Sequence, residues 1–260
     1  MKGFLQEYGV IMVVVAVVLG MLAFGKTGYA KGIQDAILGG TNHIVETGEN
    51  ITAKTKVKPS TFIDIEGKKY IVLEKKSADK YLVMTADSIG NKAFHYGFNY
   101  STHLRPNGQR ANTYEGSEID NYLEKEWYDS FPEKVKSAIQ VTTIKQSSYA
   151  TYNDTNSKQE TGFKGQVYNT ISRHVFLPSV SEIGKVVNLK DLNKNKTFLN
   201  GIDIWTRDSY QGNAYSAEYL YANYDTLNNL DVSAKVSMRP AFVIDLSKID
   251  YTELEHVDYK

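Results

Sequence analysis

The sequence contains no cysteine. Without a thiol, the chain can form no disulfide, no cysteine nucleophile and no cysteine–metal site. It also lacks an excess of either charge, because 30 lysines and arginines balance 30 aspartates and glutamates. A neutral chain has no general electrostatic attraction to phosphate backbones, so we expect no nucleic-acid partner.

The usual patterns of catalytic residues are missing as well. No two histidines stand at metal-ligand spacing on a predicted helix, and the chain has neither a Gly-x-Ser-x-Gly turn nor a phosphate-binding loop. Several acidic residues lie near one another in the sequence, but none stands out as an opposed carboxylate pair for glycoside hydrolysis. We therefore predict no catalytic residue and expect that the protein is not an enzyme.

One long apolar run stands near the start of the chain. No residue from Tyr8 to Gly25 is charged, and at about 1.5 Å per residue this segment spans roughly 27 Å as a helix, close to the thickness of a bilayer core. It predicts a single transmembrane helix. Lys2 precedes the run and Lys26 follows it, so charge does not fix the orientation. A signal peptide cleaved after Ala30 is the alternative.

The residues before this run resemble the start of a Flp-type (tight-adherence) pilin, which resembles type IV pilins. The resemblance rests on Gly3, Phe4 and the Glu7-Tyr8 pair. It implies cleavage after Gly3, a new N-terminus at Phe4, and self-assembly in which Glu7 meets a neighbouring subunit's terminal ammonium. Three residues separate Gly3 from Glu7, where the pattern has four. A plain membrane anchor is the alternative.

The rest of the chain shows mixed strand and helix patterns. We divide it into a membrane or pilin-like helix at 1–45, a linker at 46–60, a folded domain at 61–248 and a polar tail at 249–260. The domain shows a hairpin at Phe62–Glu74, helical spacing at Ser117–Ile139 and closing strands at Ile202–Thr206 and Arg239–Leu246. Because no strand–helix–strand rhythm is present, we predict an α+β fold.

Several short motifs in this domain occur in a recognisable order, namely Tyr114-Glu-Gly-Ser117, Val175-Phe-Leu-Pro-Ser179, Ile204-Trp-Thr-Arg207 and Met238-Arg-Pro-Ala241. The series is similar to an uncharacterised bacterial surface-domain family with ordered WLN, FLLS, WLRS and VRPA motifs, although Asp120 stands where that family has arginine. The resemblance implies a C-type-lectin-like domain distantly similar to formylglycine-generating enzymes. Their chemistry needs active-site cysteines and is excluded.

Tyrosine is abundant, with 19 residues, and a cluster of them falls between the two closing strands. A tyrosine ring offers rigid contact area and its hydroxyl a hydrogen bond, so a tyrosine-dense segment is typical of recognition surfaces. We predict a binding surface at Asp203–Asp231, formed by Trp205, Arg207, Asp208, Tyr210, Tyr215 and Asp225. Packing in the core is the alternative for Trp205 and Arg207. The oxygen-rich side chains leave a calcium site open, against a plain solvated loop.

Together these features predict a membrane-anchored, extracytoplasmic binding or adhesion protein at the cell surface or on a pilus. Its expected partners are the membrane, other copies of its own helix, and a glycan or cell-surface protein. Two other functions stay open. One is an enzyme that acts on envelope polysaccharide or peptidoglycan, and the other is a purely structural pilin.

Overall fold

A computed structural model describes residues 57–148, 167–210, 212–222 and 227–260. About 40% of this part lies in strands and 16% in helices. The predicted class, an α+β domain of C-type-lectin-like architecture behind a transmembrane helix, is therefore wrong, because the domain is dominated by β-sheet. Its helices are only four to eight residues long.

The membrane predictions concern another part of the chain. The predicted helix at 1–45, with Gly3, Phe4 and Glu7, lies outside the described residues, as does most of the predicted linker. Within the described residues, no helix is long and apolar enough to cross a bilayer.

Fourteen strands and a few short helices make up the described part of the chain. The strands are β1 (Thr61–Ile65), β2 (Lys68–Lys75), β3 (Lys80–Thr85), β4 (Asn91–Ala93), β5 (Ile139–Gln140), β6 (Thr142–Ser148), β7 (Val167–Arg173), β8 (Val175–Phe176), β9 (Ile204–Ser209), β10 (Ser216–Leu220), β11 (Leu227–Asp231), β12 (Lys235–Ser237), β13 (Ala241–Asp245) and β14 (Thr252–His256). The helices are α1 (Glu118–Asn121), a π-helical segment (Tyr122–Trp127), α2 (Glu133–Ala138), α3 (Val180–Ile183) and α4 (Leu192–Leu199).

The strands form three sheets. The largest has the order β14-β1-β2-β3-β13-β5, and β8 also pairs with β13. A second sheet has the order β11-β10-β9-β12-β4, and β6 pairs with β7 as a separate hairpin. Neighbouring strands run antiparallel, except that β12 lies parallel to β9. Residues distant in sequence, such as β3 and β13, are thereby brought together.

The predicted hairpin at Phe62–Glu74 is confirmed as β1 and β2. Its two turn residues, Glu66 and Gly67, both have positive φ angles, of 52° and 76°. Two left-handed residues give the turn whose twist matches a two-residue hairpin, and glycine adopts that conformation without strain. Asp64 supports the turn, since its Oδ1 accepts a hydrogen bond from the Gly67 backbone N–H at 2.9 Å.

The helical pattern at Ser117–Ile139 forms two short pieces. Ser117 caps the first as predicted, because its Oγ accepts from the Asp120 backbone N–H at 3.1 Å. The chain continues from α1 into the π-helical segment, and Pro132 then precedes α2 as its N-cap. Proline has no backbone N–H to continue the earlier helix, so the break falls there. The spacing predicted correctly which residues are buried, but it did not predict that the helices are this short.

An aromatic cluster fills the space between the largest sheet and these helices. Phe242 on β13 packs edge-to-face on Tyr70 at 5.3 Å and on Phe131 at 5.6 Å between ring centroids. Trp127 lies 6.4 Å from Phe242, and all four side chains are buried. Perpendicular rings of this kind attract one another beyond simple area burial.

The segment at 249–260, predicted to be a polar tail, belongs to the fold. Strand β14 pairs with β1 at the edge of the largest sheet. Beyond it, the Tyr259 ring is buried and packs edge-to-face on Phe198 at 5.4 Å. The exposed residues of β14 explain its polar composition, since an edge strand faces solvent along much of its length.

Replacing Phe242 with alanine tests the aromatic cluster. Because the ring is fully buried, Phe242→Ala should lower the free energy of unfolding by about 3–5 kcal/mol. Urea unfolding of the full-length chain measures this loss. Leu254→Ala is the matched control, since Leu254 on β14 is 49% exposed, and it should change stability by less than about 1 kcal/mol. Equal losses in the two variants would contradict this packing.

Candidate functional site

Strand β9 carries three of the predicted binding residues, and every residue of this strand is buried. The Trp205 ring has 0% exposure. Its indole Nε1–H donates to the Lys92 carbonyl at 3.0 Å, and the ring packs edge-to-face on Phe94 at 5.7 Å. Trp205 therefore sits in the core and presents no ring face to a ligand.

Arg207 is held by a carboxylate and by backbone carbonyls. Its Nη1 and Nη2 donate to the two carboxylate oxygens of Glu182 at 2.5 and 2.9 Å. Two further donors reach the carbonyls of Leu177, at 3.0 Å, and Lys145, at 2.8 Å. Burial raises the pKa of Glu182, but hydrogen bonds and charge from Arg207 outweigh it and leave that pKa below its usual value. Arg207 therefore connects three segments of the chain.

Glu182 and Asp208 also complete the start of helix α3. Ser179 and Glu182 form a reciprocal capping box, in which each side chain accepts from the other's backbone N–H. Asp208 accepts from the Val180 backbone N–H at 2.6 Å. Burial raises the pKa of Asp208, although the charge of Arg207 opposes that rise. Asp208 is only 6% exposed, and its carboxylate therefore stabilises the fold and does not face a ligand.

Glu218 on β10 is a half-buried acid that no sequence motif marks. Burial, with the nearby Asp208 carboxylate, raises its pKa to about 8. Its Oε2 is buried and has no hydrogen-bond partner. Two neighbouring acids with raised pKa values are what acid–base hydrolysis would use. Here, however, Asp208 is only 6% exposed and its carboxylate accepts from the Val180 backbone N–H, so it is engaged in the fold.

The acidic residues at the two ends of the predicted surface accept hydrogen bonds from nearby backbone N–H groups. Asp203 accepts from the Ala222 backbone N–H at 2.9 Å, and Asp231 accepts from the Ser233 backbone N–H at 2.8 Å. Among the described residues, no group of three or more histidine, aspartate or glutamate side chains could hold a metal ion. Asp225 lies outside the described residues. The calcium site stays a prediction.

Tyr210 and Tyr215 are half-buried in the turn between β9 and β10. The Tyr215 ring packs on the His103 ring at 4.4 Å between centroids. The same turn is held by Asn112, whose amide nitrogen lies 3.0 Å from the Asn213 carbonyl and 2.9 Å from the Ser216 carbonyl. This part of the predicted surface is therefore joined to the loop that follows β4.

That loop forms a surface cavity of about 540 Å³. Its rim is aromatic, because Tyr96 is 45% exposed and the neighbouring Tyr100 is 66% exposed. Tyr100 also packs on Phe98 at 4.6 Å between ring centroids. We call this site the aromatic cavity, defined by its lining residues Tyr96, Gly97, Phe98, Asn99, Thr102, Leu104, Arg105 and Pro106.

Local hydrogen bonds fix the shape of the aromatic cavity. Asn99 Oδ1 accepts from the backbone N–H groups of Ser101 and Thr102, at 2.8 and 3.2 Å. His103 has a left-handed backbone, with φ of 52°, and reverses the chain toward Leu104. Asparagine side chains favour such turns because they imitate a backbone carbonyl. The lining residues are therefore held in place before any ligand arrives.

Arg105 is a lining residue of the cavity that carries a positive charge. It is 4% exposed and donates to the carbonyls of Glu115, at 2.9 Å, Ala111, at 2.8 Å, and Thr113. His95 lies behind the lining residue Gly97, and burial and the neighbouring charge of Arg105 lower the pKa of its imidazole. Neither residue stands out in the sequence, since an isolated histidine or arginine carries no motif.

A family model described as a domain of unknown function (DUF6273) matches residues 78–246, well over half of the chain. The chain belongs to the DUF6273 family. No curated protein and no solved structure matches it. The DUF6273 match begins in the turn between β2 and β3 and ends just after β13, so it includes β9 and the whole aromatic cavity.

The ordered sequence motifs of this DUF6273 domain lie in its framework. Ser117 caps α1 and Ser179 caps α3, while Trp205 and Arg207 are buried in β9. Arg239 is buried as well and donates to two backbone carbonyls. The motifs therefore specify folding contacts, and the aromatic cavity lies in a loop without a motif.

Glu218 predicts a pH dependence of stability. Its pKa rises from 4.5 to about 8 on folding, so the folded chain holds this proton more tightly than the unfolded chain. The resulting stability is complete below about pH 4.5 and is lost as the pH rises through about 8, by on the order of a few kcal/mol.

Urea unfolding of the full-length chain from about pH 5 to about pH 9 measures this loss. Glu218→Gln carries no titrating group, so it should be more stable than the wild type at the alkaline end and should have a flatter profile. Parallel profiles for the two proteins would contradict a buried, protonated Glu218.

Proposed function

We propose that this DUF6273 domain is a binding module that takes a sugar-bearing ligand in the aromatic cavity. The observation that carries the proposal is a preformed cavity of about 540 Å³ with exposed tyrosines at its rim. Small-ligand sites have volumes of about 300–1,000 Å³ and combine apolar walls with a few polar groups. Tyr96 and Phe98 supply the apolar walls, while Asn99 and Thr102 supply polar groups.

Sugar rings match this combination. One face of a pyranose is lined by C–H groups that pack on an aromatic ring, while its hydroxyls need hydrogen-bonding partners. A tyrosine provides both a flat apolar body and a polar tip. The zero net charge of the chain gives no general attraction to highly charged polymers, so short-range contacts of this kind are left to provide the affinity.

The turn with Tyr210 and Tyr215 extends the proposed surface. It is fixed to the cavity loop by the His103–Tyr215 contact and by the Asn112 hydrogen bonds. A site that is ordered before binding loses less conformational entropy on association. This part of the Asp203–Asp231 segment supports the recognition function proposed from the sequence, while Trp205, Arg207 and Asp208 support the fold beneath it.

Tyr96→Ala and Tyr100→Ala test the binding proposal. Each removes an exposed ring from the rim, so we expect each to weaken glycan binding about tenfold or more, since a well-packed aromatic contact contributes on the order of 1–2 kcal/mol. Glycan-array binding, followed by calorimetry on the best ligand, measures the effect. The full-length chain is kept in a detergent without a sugar headgroup.

The matched control is Leu254→Ala on β14, another exposed apolar side chain that lies in the largest sheet. It should leave the affinity unchanged. The proposal fails if the two tyrosine variants stay folded and bind every glycan as the wild type does, or if the wild type binds no glycan.

An enzyme acting on envelope polymers is the second candidate. It is favoured by Glu218, whose pKa of about 8 would keep it protonated as a general acid at neutral pH. Its neighbour Asp208 is engaged in the fold, which argues for the binding function instead. Turnover of peptidoglycan or polysaccharide by the wild type, with loss of turnover in Glu218→Gln, would favour the enzyme.

We further propose that the module acts at a membrane, outside the cytoplasm, since the uncharged run from Tyr8 to Gly25 is long enough to cross a bilayer. N-terminal sequencing of protein from native membranes should read Met1 for a plain anchor or Phe4 for a processed pilin. A start at Lys31 would mean a secreted protein and would contradict anchoring. Electron microscopy of the cell surface separates filaments from single anchors.

A further inference from the structure

We propose that the aromatic cavity selects acidic sugars, and that Arg105 binds the carboxylate of a uronic-acid-type ring. The inference rests on the proposed glycan-binding function and names the class of ligand. Arg105 lines the cavity and is 4% exposed. It therefore offers the cavity one charged group with little exposed surface of its own.

The bonding of Arg105 leaves its charge without a carboxylate partner. Its two terminal nitrogens donate to the backbone carbonyls of Ala111, Thr113 and Glu115, and within the described residues it takes part in no ion pair. Its Nε is buried and has no hydrogen-bond partner. A buried cation is costly unless an anion compensates it, and a bound carboxylate would supply both the charge and the missing acceptor.

The other buried arginines, and the half-buried Arg173, do not combine these features. Arg207 is paired with Glu182, and Arg173 is paired with Asp120 at 2.7 Å. Arg239 donates to two carbonyls and lies against the Phe198 ring at 4.8 Å from its centroid, and it does not line the aromatic cavity. Among these four, only Arg105 both lacks an acid and faces a cavity that could bring one.

The two carboxylates whose charges act on Arg105, those of Asp120 and Glu118, are already bonded to other groups. Asp120 binds Arg173 through both oxygens, and Glu118 accepts from the Tyr96 backbone N–H at 3.0 Å. Neither carboxylate forms a direct ion pair with Arg105 in the described part of the chain. Both remain near enough to keep the site from attracting anions indiscriminately, so an acidic ligand must also gain from contacts with the rim.

His95 lies behind the cavity wall and not in its lining. A Cβ placed on the lining residue Gly97 would lie 3.9 Å from His95 Nε2, so the imidazole packs against the back of this wall. Its lowered pKa, which comes from burial and from the charge of Arg105, means that it adds no second fixed positive charge beside Arg105.

The choice of a sugar over a peptide carboxylate follows from the rim. Tyr96 in the lining and the neighbouring Tyr100 expose their aromatic rings, and such rings suit a pyranose face. The lining residues belong to none of the described strands, whereas extended peptides commonly add to a strand edge. A peptide with a terminal carboxylate is therefore the outcome that would overturn this choice.

The experiment compares two sugars that differ by one group. Glucuronic acid oligosaccharides and glucose oligosaccharides of the same length and linkage are titrated into the full-length chain, in a detergent without a sugar headgroup. We expect the acidic series to bind at least about tenfold more tightly, with affinity that falls as salt rises, since charged contacts are screened. In ¹H–¹⁵N spectra, the Arg105 Nε–H resonance should move on adding the acidic sugar and stay in place with the neutral one.

Variants assign the effect to the cavity. Arg105→Lys keeps a positive charge but removes the Nε–H donor, and should reduce the preference for the acidic series to about threefold or less. Arg110→Lys makes the same change five residues away, outside the lining, and should keep the preference. If Arg105→Lys fails to fold by circular dichroism, the wild-type Arg105 Nε–H resonance decides the assignment, since it should move with the acidic sugar and stay in place with the neutral one.

The outcomes separate the two proposals. Equal affinity for the acidic and neutral series, reduced in Tyr96→Ala, would overturn the acidic-sugar inference and leave glycan binding intact. Tight binding of a peptide carboxylate, with movement of the Arg105 resonance and no sugar binding, would overturn both. An acidic preference that survives Arg105→Lys, with an Arg105 resonance unmoved in the wild type, would also overturn the assignment.

Discussion

The Arg207–Glu182 ion pair connects several parts of the chain that are distant in sequence. Arg207 comes from β9 in the second sheet, Glu182 from helix α3, and the remaining donors of Arg207 reach Leu177, which follows β8, and Lys145 on β6. Removing one partner would leave the other buried and uncompensated, at a cost of about 3–5 kcal/mol. Together with the hydrogen bond from the Val180 N–H to Asp208, this pair fixes α3 and β6 against the second sheet.

Charges that are buried in this framework are mostly balanced within it. Asp120 has Arg173, Glu182 has Arg207, and Asp208 accepts from a backbone N–H at the start of α3. Glu218 balances its burial differently, by holding a proton, as its pKa of about 8 indicates. Arg105 and Arg239 are different, because each bonds to backbone carbonyls and neither forms an ion pair within the described residues. Of these two arginines, only Arg105 lines the aromatic cavity.

The sequence predicted those elements whose signals are local. The turn at Glu66-Gly67 and the caps at Ser117 and Ser179 were found because each depends on residues within three or four positions. The fold class was wrong because the other strands are short and polar. Strands β6 and β7 carry serines, threonines and a lysine without a clear apolar alternation, and their pairing depends on contacts distant in sequence.

The candidate site was only partly predictable for a related reason. Tryptophan and arginine in a motif indicate a special position, but the sequence does not say whether that position is inside or outside, and Trp205 proved to be fully buried. Tyr210 and Tyr215, predicted as binding residues, lie in the turn between β9 and β10, and their role stays a prediction. Arg105 and His95 were missed, because an unpaired buried nitrogen becomes visible only when its neighbours are known.

The rim of the aromatic cavity and the framework of the domain are held by different contacts. The aromatic cavity is closed by hydrogen bonds within its own loop, such as those of Asn99, and is fixed to the framework through Asn112 and the backbone contacts of Arg105. Rim residues such as Tyr96 and Tyr100 take no part in the framework ion pairs. Substitutions at the rim should therefore cost little stability. Arg105 is different, because its terminal nitrogens hold the loop and its side chain lines the cavity. If the cavity binds ligand as proposed, the charge of the ligand is the property that this architecture makes hardest to change.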